Sequence, residues 1–182
     1  TAFGCKYIWN EGKAPQVKPV FSKIEEVENI ETPKGKTEEM KEIIDRIDWY
    51  RDITKDQLPI AQTDTQSPND TASLIMETSE FFYASVYEHE RIEKFMNAVV
   101  DVVIDFTIFQ NEHIGPCLSE PGHQMVCVPG WKGIAISDDN MAMLSPEEYI
   151  EESTRGICQL GSEDLFRNER SGIFNKKEFY QN

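Results

Sequence analysis

The sequence predicts an α/β chain in which parallel strands are joined by crossover helices. Two observations carry this: short apolar runs alternate with capped amphipathic helices, and one strand–turn–helix unit is written twice. Strands that alternate with helices favour parallel pairing, because a helical crossover returns the chain to the same sheet edge.

Residues 1–35 read as irregular, mixing Phe3, Tyr7 and Trp9 with Gly4, Gly12, Pro15, Pro19 and Pro33. Pro19-Val20-Phe21 reads as a strand or a loop anchor, and residues 22–29 as a short helix from Ser22. Thr37 is a helix cap followed by Glu38 and Glu39, acids that suit the positive end of the helix dipole. Met40, Ile43, Ile44, Ile47 and Tyr50 then form one apolar stripe at helical spacing. Leu58 to Thr63 reads as a short strand, with Pro59 tolerable only near its start.

Asp64-Thr65-Gln66 follows, then Ser67-Pro68-Asn69-Asp70, where Ser67 caps a helix, Pro68 takes its first position and Asp70 stands where a capping-box acid reaches back. Leu74 and Ile75 lie on that helix, and Phe81, Phe82, Tyr83 and Tyr87 on a second segment. Residues 88–111 form the longest helix, whose broad stripe (Ile92, Phe95, Met96, Val99, Val103) calls for more than one packing neighbour. Residues 113–131 read as loop. Gly133 to Ser137 is a second short strand; Asp138, Asp139 and Asn140 end it, and Ser145-Pro146-Glu147-Glu148 caps another helix.

The duplicated unit thus runs from Ile60 to Asp70 and again from Ile134 to Glu148: an Ile-Ala strand, an end rich in acids and amides, a Ser-Pro cap. Ligands of parallel α/β folds sit at the carboxyl ends of strands. Asp64, Gln66, Asp138, Asp139 and Asn140 are therefore the candidate catalytic rim, against the plainer reading that they satisfy turns and helix starts.

The chain has 182 residues, with 18 Lys and Arg against 33 Asp and Glu, a formal charge of −15. Such a chain lacks the basic face that binding nucleic acid needs, and an anionic membrane surface repels it. No apolar run approaches a bilayer span. Four cysteines, Cys5, Cys117, Cys127 and Cys158, are too sparse for a disulfide scaffold, so a reducing cytoplasm with free thiols is expected. On the same ground the sequon Asn69-Asp70-Thr71 reads as chance. Cys158 has no histidine near it in sequence to activate it.

His113-x-x-x-Cys117 and His123-x-x-x-Cys127 repeat one spacing and supply two nitrogen and two sulfur donors, a set that suits tetrahedral zinc. The spacing matches no standard finger, and the alternative is buried apolar cysteines beside ordinary loop histidines. Trp131, after Pro129-Gly130, is a candidate cofactor-pocket wall or a core anchor.

The run from Gly133 through Asp138-Asp139-Asn140 to Leu144-Ser145-Pro146 and Tyr149, with the block Gln66 to Tyr87, resembles the uroporphyrinogen decarboxylase-like superfamily. The resemblance implies a (β/α)8 TIM-type barrel, present here incompletely, since a whole barrel takes about 250 residues. It covers roughly residues 1–152, leaving 153–182 as a tail outside the family pattern. The superfamily holds porphyrinogen decarboxylases and methyltransferases that move methyl groups between corrinoid and thiol carriers.

This chain departs from the decarboxylases. Thr63 to Pro68 replaces their Gly-rich loop, Leu74 stands in place of a Tyr, and their arginine-bearing segment is absent from these residues. The resemblance therefore leans to the methyltransferase branch. It implies a small-molecule ligand, a corrinoid protein as partner, and corrinoid or zinc as cofactor of the full-length parent. Porphyrinogen decarboxylation and a non-catalytic acidic interaction fragment are the alternatives, and the isolated fragment is expected to be inactive.

Overall fold

Helix α1, Glu38–Thr54, begins where Thr37 Oγ1 accepts the Met40 N–H at 3.3 Å. The computed structural model describes residues 1–63, 65–119, 136–137 and 139–147. Of the α1 stripe, Ile44 and Ile47 are buried and Ile43 half-buried, while Tyr50 stays exposed. The helix ends on two left-handed non-glycine residues, Lys55 and Asp56, at φ 51° and 57°. Arg51 holds that turn, its guanidinium gripping the Asp56 carboxylate at 2.9 and 3.0 Å and donating to the His113 carbonyl at 2.7 Å. The same guanidinium keeps the Asp56 carboxyl below the usual carboxylate range.

The N-terminal segment departs from its irregular reading. Strands β1, Lys6–Ile8, and β2, Gln16–Lys18, pair antiparallel with Lys6 opposite Lys18. Three-residue strands with like charges facing each other carry too little pattern to be recognised locally. Val20 and Phe21 are a loop anchor: both N–H groups donate to the Ile75 carbonyl, and Glu77 N–H donates to the Phe21 carbonyl. The helix expected at 22–29 is a single 3-10 turn, Ile24–Val27, opened by Glu26 accepting the Ser22 and Lys23 N–H groups.

The chain continues through β3, Thr65–Gln66, α2, Pro68–Ile75, α3, Thr78–Tyr87, and α4, His89–Ile114. The long helix meets the expectation of several neighbours, packing against α1, α2 and α3. Its Phe95 is fully buried, with Phe3 and Phe21 edge-on to it at 6.3 and 6.0 Å. Around Phe95 gather Phe81, Ile92, Val99, Met76, Ile24 and Val27, while Ile44, Ile47, Ile114 and Cys117 form a second cluster where α1 meets the end of α4.

Leu58 to Thr63 is not a strand. It makes one parallel bridge, Ile60 to Leu118, with Ile60 N–H donating to Cys117 O and Ser119 N–H to Ile60 O. Pro59 has no N–H to offer, and Gln110 Oε1 takes the Thr63 N–H and hydroxyl at 3.0 Å, so side-chain bonds replace a ladder. The strand starts later, at Thr65, and lies parallel to β4, Ile136–Ser137, with Thr65 opposite Ile136 and Gln66 opposite Ser137. Residues 65–66 and 136–137, one stretch from each expected unit, are therefore neighbours in the sheet. Their register is offset: the paired stretch of the first unit lies beyond its Ile60-Ala61. A 3-10 turn, Asn140–Met143, follows β4.

Candidate functional site

The junction of the two units is built on the start of α2. Ser67, fully buried, caps the helix by accepting the Asp70 N–H at 3.0 Å, and Pro68 occupies its first position. Asp70 does not act as the expected capping-box acid. Its two carboxylate oxygens accept the backbone N–H groups of Asp139 and Asn140, each at 2.8 Å. The Asn140 side-chain amide donates to Ser73 Oγ at 2.8 Å, and Ser73 hydroxyl donates to the Asp70 carbonyl. Asp70 is 1 % exposed, so this is a buried charge held by charge-assisted bonds and by the positive end of α2.

Of the candidate catalytic residues, Gln66, Asp139 and Asn140 come together here: Gln66 and Asp139 are exposed, and Asn140 is half-buried and engaged with Ser73. Asp64 and Asp138 lie outside the described residues, as do Trp131, His123 and Cys127. Sequence reasoning misses Asp70 as the clasp, because only the fold brings Asp139 to it.

It also misses Asn69, at the second position of α2. The Asn69 carboxamide is fully buried, and among the described residues neither its oxygen nor its nitrogen has a hydrogen-bond partner. A buried amide left so is costly, and such groups mark unfilled polar demand. Its burial also agrees with the sequon being chance.

For the metal reading, His113 lies in the last turn of α4 with its ring 4.7 Å from that of Phe109, and Cys117 is buried. Cys117 Sγ donates to the Asp56 carbonyl at 3.6 Å, and burial, then Asp56 beside it, pushes its thiol up. In this arrangement the Cys117 thiol is spent on the Asp56 carbonyl, and the other two residues of the four-ligand set, His123 and Cys127, lie outside the described residues. Among the described residues no three His, Cys, Asp or Glu side chains converge on a metal position.

Two short parallel strands, with Asp70 clasping the turn after the second, give a chain of mixed helix and strand. The match to a known family is more particular: the family model for uroporphyrinogen decarboxylase (URO-D) fits residues 1–119, about two-thirds of the chain. The chain belongs to that family. The match stops short of the Asp139–Ser145 run, so it rests on the first unit and the helices around it. No curated protein and no solved structure matches. Among the described residues, no helix is long and apolar enough to cross a membrane.

Proposed function

We propose that this chain is part of a (β/α)8-type barrel enzyme that handles a small ligand at the carboxyl ends of β3 and β4, in the reaction class of methyl transfer to or from a thiol or corrinoid carrier. The supporting observation is the parallel pairing of Thr65 with Ile136, which sets two strand ends side by side; ligands of parallel α/β folds bind at strand ends of this kind. In this reading Asp139, with Asp64 and Asp138, supplies carboxylates for proton transfer; one of them takes the thiol proton as sulfur accepts the methyl group. Gln66 offers an exposed amide to the ligand, while Asn140 keeps the rim in place through Ser73. In this reading a corrinoid comes on a carrier protein. No step is assigned to zinc.

Decarboxylation of a porphyrinogen is the weaker reading. Its substrate carries several carboxylates, which a rim of acids repels, and Leu74 offers no hydroxyl. The deciding assay gives the full-length protein methylcobalamin with a small alkanethiol, and uroporphyrinogen in parallel. Demethylation that Asp138→Asn abolishes without unfolding supports the proposal. Carbon dioxide release from the porphyrinogen instead overturns it, and so does inertness toward both.

A further inference from the structure

A groove of about 400 Å3 opens between α1 and the 58–63 segment, and none of the residues of the Asp70 junction lines it. Its walls are apolar, chiefly Ile43, Ile47, Tyr50 and Ile60, and the volume suits a small ligand. An added polypeptide strand fits poorly here. Pro59 has no N–H, the Ile60 N–H and carbonyl are already bonded to Cys117 and Ser119, and the Thr63 N–H is taken by Gln110, which breaks any continuous ladder along the segment.

Two polar side chains stand on the wall. Gln62 is 7 % exposed; its Nε2 donates to Asn111 Oδ1, which fixes the amide, and its Oε1 accepts nothing. Arg46 makes no ion pair, although the other two arginines among the described residues, Arg51 and Arg91, are both matched to carboxylates. An unmatched guanidinium in a chain of charge −15 is an anion-recognising group where acids elsewhere predominate.

We infer that this groove binds a small amphipathic carboxylate. Its apolar ring or branched chain lies among Ile43, Ile47 and Ile60, and its carboxylate faces Arg46. The site is separate from the strand-end rim and does not depend on the proposed reaction.

The test titrates the full chain with 4-hydroxyphenylacetate by calorimetry and by amide NMR. Binding should shift the amides of Ile43, Ile47 and Ala61. Arg46→Gln, an exposed helix position whose folding circular dichroism checks, should weaken it about tenfold, as expected for one charge-assisted contact. The inference is overturned by no binding up to about 10 mM, by shifts confined to residues outside the groove, or by equal affinity in Arg46→Gln. Equal binding of 4-hydroxyphenylethanol, which lacks the carboxylate, also overturns it.

Discussion

The carboxylate of Asp70 and the backbone N–H of Asn140 meet at 2.8 Å across 70 residues of sequence, with the Asp139 N–H on the other oxygen. One buried side chain thereby ties the start of α2 to the turn that ends β4. The ends of the two strands stay adjacent because this clasp removes the freedom of the second turn to swing away.

Asp70→Asn removes one acceptor and turns an amide N–H toward a backbone N–H. The variant should lose about 3 kcal/mol, the scale of charged hydrogen bonds left unmade in a buried place. For a chain of this size that is about 6–12 °C in melting temperature. Hydrogen exchange at the Asp139 and Asn140 amides should accelerate more than at α4. Equal protection in both proteins would show that the clasp holds nothing.

Asn69→Leu should behave in the opposite sense. Replacing an unpartnered buried amide by an apolar group of similar size removes a desolvation cost, so stability should rise by about 1 kcal/mol. If the carboxamide serves the strand-end ligand, turnover in the full-length enzyme falls while the melting temperature rises. Lower stability in the variant would mean the amide has a partner in the native state.

The ion pair of Glu80 with Lys23 gives a pH dependence. The Lys23 ammonium, then the Ile24 N–H, hold the Glu80 carboxyl below the usual carboxylate range in the folded protein. A folded pKa below the unfolded one stabilises above the unfolded value, and this is lost as pH falls through the folded one. Glu80→Gln should therefore melt lower than wild type at pH 7, and the gap should close in acid below the carboxylate range. A gap that persists unchanged there would assign it to packing.

Metal analysis of the purified chain should find zinc well below one equivalent, with Cys117→Ala leaving that content unchanged. Stoichiometric zinc lost in Cys117→Ala would restore the four-ligand reading of His113, Cys117, His123 and Cys127.

Features governed by a few consecutive residues are legible in the sequence. Thr37 and Ser67 cap helices where their side chains and the following acids or proline predict, and the α4 stripe packs on several neighbours as its width requires. The hairpin of β1 and β2 is not legible, because Lys6 to Ile8 has neither alternation nor a strong turn signal. The strand expected at 58–63 fails for a related reason. Its apolar content is right for a strand, but the Gln110 side chain, 47 residues away in sequence, captures the Thr63 N–H that a ladder would use.

By itself the sequence determined the helices α1 to α4, the caps at Thr37 and Ser67 and the acidic charge, since each depends on spacing or composition within a few turns. The tertiary structure decided the register of Thr65 against Ile136, the clasp of Asp70 on Asp139 and Asn140, and the burial of the Asn69 amide without a partner among the described residues. Those depend on which distant backbone groups burial brings within bonding distance, and no local pattern encodes that pairing.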